Sequence, residues 1–132
     1  MPTLYLIRGV PGSGKSSLAS QLFGAGVVDD VFEADTYFYD TAGNYNFDAS
    51  QLGAAHLQCQ KDTDRALYRG VDVAVSNTST TEKEVEIYRK IAADNGAKFI
   101  SLVVETRHNN KNIHGVPDEK IEQMRKRFSI NL

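Results

Sequence analysis

The chain contains very little cysteine: Cys59 is the single one among 132 residues. One cysteine cannot form an internal disulfide, which excludes a disulfide-stabilised secreted scaffold and suits a reducing compartment. No stretch approaches the roughly 20 apolar residues that a membrane-spanning helix needs. A β-prone segment begins within the first three residues, so we also expect no signal peptide. These absences predict a cytoplasmic protein that does not enter a membrane.

The chain also lacks a large excess of charge of either sign. Its 15 Lys and Arg residues and 17 Asp and Glu residues give a net charge of −2. No overall positive field therefore attracts nucleic acid, although this does not exclude a local basic groove. A length of 132 residues predicts one domain over 1–132, which buries about two-thirds of the surface that the unfolded chain exposes.

What the sequence does contain is a glycine-rich segment near its start. Residues 9–16 read Gly-Val-Pro-Gly-Ser-Gly-Lys-Ser, which matches G-x-x-x-x-G-K-[ST], the phosphate-binding P-loop. Glycines let the backbone approach phosphate oxygens closely, and the N–H groups form an anion-binding nest at a helix N-terminus. We therefore expect ATP to bind the following residues: Gly9, Gly12, Ser13, Gly14, Lys15, Ser16 and Ser17.

Two side chains of this loop have further predicted roles. Lys15 brings positive charge to the β- and γ-phosphates and is predicted to be catalytic, and Ser16 offers its hydroxyl to Mg²⁺. A dinucleotide-binding G-x-G-x-x-G motif fits less well, because Ser17 stands where its third glycine belongs.

Strand-like and helix-like segments alternate along the chain. Strands are predicted over 3–8, within 27–34, over 71–75 and over 98–104, and helices over 15–23, 49–69, 81–95 and after Pro117. This alternation predicts an α/β fold: a P-loop NTPase three-layer sandwich with about four parallel strands and helices on both faces. Right-handed crossovers bring the P-loop, Asp35, the 76–80 loop and the 105–115 segment to the carboxyl edge of the sheet.

Three residues outside the P-loop are candidates for catalysis. Asp35 follows the second predicted strand, where a carboxylate can accept the proton of an attacking hydroxyl; a turn-capping role is the alternative. The basic segment 105–115 is a candidate lid over the phosphates, with Lys111 as a catalytic cation. Arg127 flanks the apolar face of the last predicted helix and is the other cation.

Other features allow two interpretations each. Arg65 and Arg69 stand one helical turn apart, and they suit either an acceptor phosphate or ion pairs with nearby aspartates. Five aromatic residues suit either stacking on a nucleobase or covering of the core: Tyr37, Phe38, Tyr39, Tyr45 and Phe47.

Taken together, these motifs resemble the kinase domain of phage polynucleotide kinase and related small P-loop kinase-like domains. The likeness covers most of the chain and is strongest at 8–16, at Asp35-Thr36-Tyr37, at Asn77-Thr78 and at 111–117. The resemblance implies that Asp35 is the general base for a 5′-hydroxyl. The chain departs from the family pattern in having Phe38 and Lys111 in place of arginines. It also has Ser76-Asn77 where the third strand of the family ends in a carboxylate.

These observations favour an ATP- and Mg²⁺-dependent kinase whose acceptor is nucleotidic. The 5′-hydroxyl of a polynucleotide or nucleoside requires Asp35 as base, whereas a nucleoside monophosphate requires cations around its phosphate instead. An ATP-binding module without turnover is a further alternative, since a P-loop provides affinity for phosphate rather than catalysis. A GTPase-like switch is disfavoured because the run beginning at Asn110-Lys111 lacks the aspartate of N-K-x-D.

Overall fold

The structure is a computed structural model that describes residues 1–10, 12–78 and 81–105. Its strands and α-helices are β1 (Thr3–Arg8), α1 (Lys15–Gly24), β2 (Asp30–Phe32), α2 (Leu52–Tyr68), β3 (Val73–Asn77), α3 (Glu82–Asp94) and β4 (Lys98–Val103). Two 3₁₀ helices, Ala34–Phe38 and Ala49–Gln51, connect β2 to α2. Residues 106–115 of the lid predicted over 105–115, and the helix predicted after Pro117, lie outside the described residues.

The four described strands form one parallel sheet in the order β2-β3-β1-β4. Arg8 at the end of β1 pairs with Asn77 at the end of β3 and with Val103 at the end of β4. The carboxyl ends of these strands therefore meet at one edge, which confirms the predicted α/β fold with a four-stranded parallel sheet.

Helices cover both faces of this sheet because successive side chains of a strand point to opposite sides. Ile7 and Ala74 pack with Ala19 of α1 on one face. Leu4, Leu6, Val73 and Val75 pack with α2 and α3 on the other face. These four side chains are fully buried, and each contributes about 1.5–3 kcal/mol relative to an exposed position. In the described part of the chain, no helix is both long and apolar enough to span a bilayer.

Local capping interactions position the helices, whose bounds differ from the predicted ones by a few residues. The Thr81 side chain accepts a hydrogen bond from the Glu84 N–H at 3.4 Å, and the Thr81 N–H donates to Glu84 Oε2 at 3.2 Å. This capping box begins α3. Asp48 accepts a hydrogen bond from the Ser50 N–H at 3.0 Å, but the residues after it form a 3₁₀ turn, so α2 begins at Leu52 rather than at 49.

Two boundaries near the carboxyl edge differ from the prediction. The second strand ends at Phe32, and Asp35 lies in the 3₁₀ helix Ala34–Phe38 rather than at the end of the strand. The third strand extends to Asn77, two residues beyond its predicted end, because Ser76 and Asn77 are buried in spite of their polarity.

Asn77 explains both differences. Its Oδ1 accepts a hydrogen bond from the Ala34 N–H at 2.9 Å, which turns the chain away from the sheet immediately after β2. Its Nδ2 donates to the hydroxyl of Tyr88 on α3 at 3.2 Å and lies 3.6 Å from Cys59 Sγ on α2. One buried amide thus connects β3 to α2, to α3 and to the 3₁₀ helix that carries Asp35.

We expect Asn77→Ala to lower the free energy of unfolding by on the order of 2–4 kcal/mol, because it removes a partner from two buried polar groups. Urea denaturation measures this change. Asn46→Ala is the matched control: its amide is exposed and its hydrogen bonds are 3.4 and 3.5 Å long, so a change within about 0.5 kcal/mol is expected. Equal losses in the two variants would contradict the role given to Asn77.

Candidate functional site

The P-loop connects β1 to α1, as the motif requires. Gly12 and Gly14 have φ angles of 82° and 96°, which L side chains rarely adopt. A Cβ at Gly9 would collide with the Ser13 side chain and would lie 2.9 Å from the carbonyl oxygen of Val104. The glycines are therefore needed for the shape of this loop.

The described part of the loop has features that fit a bound phosphate. The Ser13 hydroxyl is buried and has no hydrogen-bond partner among the described atoms. The N-cap of α1 is Gly14, which has no side chain to accept from the first N–H groups, and the first turn contains no acidic residue. A phosphate group would supply the acceptors and the negative charge that this helix N-terminus favours.

Lys15 begins α1 beside two carboxylates. Burial lowers the pKa of its ammonium group, and the negative charges of Glu33 and Asp35 oppose that shift. The predicted phosphate-binding lysine therefore lies within electrostatic range of the predicted base.

Ser16 donates a hydrogen bond from its hydroxyl to Glu33 Oε1 at 2.6 Å. Because the hydroxyl donates its hydrogen bond to Glu33, the lone pairs of its oxygen remain available to a cation. Hydroxyl and carboxylate oxygens are the kind of ligand that Mg²⁺ prefers, so this pair fits the ion. Glu33 is not among the site residues predicted from the sequence, although an acidic residue directly after β2 and two positions before Asp35 is a signal that could have identified it.

Asp35 is half-buried at the start of its 3₁₀ helix. The hydroxyl of Tyr45 donates to Asp35 Oδ1 at 3.3 Å. Burial, followed by the charge of Asp35, raises the pKa of Tyr45 to about 12. Tyr45 therefore stays protonated at neutral pH and continues to donate to the carboxylate.

Arg8 lies at the same edge but faces α3. It is 3% exposed, and burial lowers the pKa of its guanidinium while the charges of Glu82 and Glu84 oppose the change. Its charge is therefore partly balanced within the fold by the first turn of α3.

Arg65 and Arg69, the pair considered as ligands for an acceptor phosphate, lie apart from this site. Arg65 lies in the last turn of α2, and Arg69 forms a 3.4 Å ion pair with Asp30 at the beginning of β2. Both positions belong to the amino edge of the sheet, so this pair does not join the residues grouped at the carboxyl edge. Lys111 and Arg127, the predicted catalytic cations, lie outside the described residues.

A cavity of about 160 Å³ lies between α2 and the 3₁₀ helix Ala34–Phe38, with Glu33, Tyr37 and Asp62 in its lining. Pockets for small-molecule ligands usually measure 300–1,000 Å³. This cavity is too small for a nucleotide, and we assign it no ligand.

Comparison with known proteins identifies the family. A family model described as "AAA domain" matches residues 4–130 of this chain. The chain belongs to the AAA domain family. Its fold resembles that of solved kinases, in agreement with the fold that the sequence motifs predict.

A human relative of this AAA domain is NEDD4-binding protein 2, which is 33% identical over 129 residues. The match covers 92% of this chain but 7% of the relative. The chain therefore corresponds to a small part of that protein.

Three solved structures share the fold of this AAA domain. APS kinase CysC of Mycobacterium tuberculosis has a TM-score of 0.61 at 17% identity, with 96% of each chain covered. A chain of the Pnkp1/Rnl/Hen1 complex has a TM-score of 0.66 at 15% identity, with 92% of this chain and 38% of that chain covered. Kti12 of Chaetomium thermophilum with ADP-AlF3 has a TM-score of 0.60 at 15% identity, with 96% and 80% covered.

We expect Lys15→Met to raise the melting temperature of the ligand-free protein at neutral pH. The pKa of Lys15 is lower in the fold than the ordinary 10.5, so its charge destabilises the native state once the pH falls below that value, and the penalty is complete below the folded pKa. The same variant should lose the rise in melting temperature that ATP with Mg²⁺ produces by binding the native state.

Lys83→Met is the matched control, because Lys83 is exposed on α3. It should change stability by less than about 0.5 kcal/mol and should keep the stabilisation by ATP. Thermal scans with and without ATP measure both effects. A lower melting temperature for ligand-free Lys15→Met, or an undiminished response to ATP, would show that Lys15 is not a desolvated phosphate ligand.

Proposed function

We propose that this domain is an ATP- and Mg²⁺-dependent phosphotransferase that transfers the γ-phosphate to the 5′-hydroxyl of a polynucleotide or nucleoside. The observation that carries the proposal is the grouping of Lys15, Ser16, Glu33 and Asp35 at the carboxyl edge of the sheet. This grouping combines a phosphate-binding lysine, oxygen ligands for a cation and a carboxylate able to act as a base.

In the proposed reaction each residue has a separate task. The P-loop amides and Lys15 hold the triphosphate of the ATP substrate. Ser16, oriented by Glu33, would hold Mg²⁺, which would neutralise charge on the phosphates. Asp35 accepts the proton of the acceptor hydroxyl as its oxygen bonds to the γ-phosphorus, and the bond from that phosphorus to the β-phosphate oxygen breaks to leave ADP.

The charges around Asp35 favour a hydroxyl acceptor over a phosphate acceptor. Residues 33–51 contain four acidic side chains and no Lys, Arg or His. Arg65 and Arg69, considered as ligands for an acceptor phosphate, lie at the other edge of the sheet. A nucleoside monophosphate would bring its own negative charge into this acidic surface, which opposes binding.

The neighbours support nucleotide binding rather than a particular acceptor. The Mycobacterium tuberculosis APS kinase has been solved with AMPPNP and APS, and Kti12 with ADP-AlF3. Lys111 and Arg127 remain proposed as cations that act on the γ-phosphate. The buried thiol of Cys59 suits a reducing compartment, so a cytoplasmic location remains part of the proposal.

The proposed role of Glu33 predicts a change in magnesium dependence. Glu33→Gln retains an oxygen that can accept from Ser16 but removes the negative charge, so the gain in ATP affinity caused by Mg²⁺ should fall roughly tenfold. Calorimetry of ATP binding with Mg²⁺ and with a chelator measures this gain. Glu86→Gln, at an exposed position of α3, should leave it unchanged. A full magnesium effect in Glu33→Gln would remove Glu33 from the metal site.

Transfer from ATP labelled at the γ-phosphate tests the function itself. The acceptors are a 5′-hydroxyl oligonucleotide and, separately, each nucleoside monophosphate. We expect labelling of the oligonucleotide, and we expect Asp35→Asn to reduce it at least about 100-fold with ATP affinity nearly intact, because the base is lost.

Asp94→Asn, an exposed substitution at the end of α3, should transfer at the wild-type rate. Transfer to a monophosphate alone would replace the proposed acceptor. ATP binding with no transfer to any acceptor would instead assign the domain to the class of ATP-binding modules.

A further inference from the structure

The most exposed aromatic surface near Asp35 consists of three rings between residues 37 and 47. Tyr37 is 45% exposed, Tyr39 is 47% exposed and Phe47 is 54% exposed. We call these three rings the aromatic platform. Large apolar groups that cluster at the surface usually mark a binding site.

The platform is supported from beneath. The buried ring of Phe38 contacts Tyr37 edge-on at 5.4 Å between ring centroids and contacts Phe47 at 5.0 Å. Tyr39 packs against Tyr45 at 5.0 Å. Phe38 alone of these five residues is buried in the core, so covering the core does not explain why the platform rings face outward.

The backbone under the platform is also held in place. Tyr39 and Tyr45 form an antiparallel bridge, and the Asn46 N–H donates to the Phe38 carbonyl at 2.8 Å. Asp40 closes the turn by accepting from the N–H groups of Ala42 and Asn44 at 2.9 and 2.8 Å. The 38–46 segment is therefore a tight turn that holds the backbone of Tyr39 in place before any ligand binds.

Tyr45 connects the platform to the proposed base. Its ring packs against Tyr39, and its hydroxyl donates to Asp35 Oδ1 at 3.3 Å. Through Tyr45, the exposed ring of Tyr39 is therefore linked directly to the proposed base.

The charge of the surrounding surface indicates which part of that molecule the rings contact. Hydrogen bonds from Asn44 hold the pKa of Asp40 below its usual value, and hydrogen bonds from Ser50 do the same for Asp48. Both carboxylates therefore stay negative at neutral pH and disfavour phosphates. A planar, uncharged group that stacks on aromatic rings suits this surface, and a nucleobase is such a group.

We propose that the aromatic platform binds the unpaired nucleobase at the 5′ end of the acceptor and so places the adjoining 5′-hydroxyl at Asp35. This assignment rests on the proposed function. It makes the acceptor a nucleic-acid end, or a nucleoside, whose terminal base is free to stack.

The test combines variants of the protein with a change in the acceptor. Two 5′-hydroxyl oligonucleotides are compared, identical except that one has an abasic terminal nucleotide. For the wild-type protein, loss of the terminal base should raise KM roughly tenfold, within the range for one stacked base. Phe47→Ala should raise KM for the base-bearing acceptor by a similar factor and leave KM for the abasic acceptor unchanged.

Two controls separate stacking from general damage. Phe47→Tyr retains a ring and should retain the low KM. Tyr68→Ala removes a ring that is 85% exposed at the end of α2, on the opposite edge of the sheet, and should change neither KM. The affinity for ATP should be unchanged in all three variants, and kcat should be unchanged in the two controls.

Phe47→Ala with an unchanged KM for the base-bearing acceptor would overturn the platform. The proposed function would stand if Asp35→Asn still reduced transfer at least about 100-fold. Calorimetry of a 5′-hydroxyl dinucleotide binding to Asp35→Asn tests the platform without turnover: addition of Phe47→Ala should weaken binding roughly tenfold. Equal binding would overturn the inference.

Self-association of the wild-type protein in sedimentation experiments, abolished by Phe47→Ala, would instead assign the rings to a second copy of the chain.

Discussion

The hydrogen bond between the Ala34 N–H and Asn77 Oδ1 is the contact on which the arrangement of the candidate site depends. It joins the end of a central strand to the turn that carries Asp35, and it spans 43 positions of the sequence. Because the strands are parallel and in register, the end of β3 lies next to the end of β1, where the P-loop begins. A single buried amide therefore sets the position of the carboxylates relative to the phosphate-binding loop.

Local patterns in the sequence were sufficient to predict much of this fold. The P-loop and the capping box at Thr81 depend on neighbouring residues only, and the strand–helix alternation is enough to predict a parallel sheet. The predictions were wrong where tertiary contacts override local polarity. Ser76 and Asn77 look like loop residues, yet both are buried in β3. The 3₁₀ turn at Asp35 and the partnership of Ser16 with Glu33 depend on contacts between distant residues, which no local pattern contains.

Electrostatics at the edge of the sheet favour ligand binding over stability of the empty protein. Burial opposes the charge of Lys15, and the nearby carboxylates compensate only in part. Such local frustration is typical of functional sites, where a residue is retained for its ligand rather than for the fold. Glu33, directly after β2, also lies near Ser76-Asn77, where the family that the sequence resembles has a carboxylate.

The central claim is that the P-loop and Asp35 hold the two reacting groups of one phosphoryl transfer. A crystal structure with Mg²⁺, a non-hydrolysable ATP analogue and a 5′-hydroxyl dinucleotide tests it directly. We expect the γ-phosphate against Lys15 and the 5′-oxygen within about 3.2 Å of an Asp35 carboxylate oxygen, since a base must be within hydrogen-bond reach of the proton it removes. A 5′-oxygen bound away from Asp35, or an analogue bound outside the loop, would contradict it.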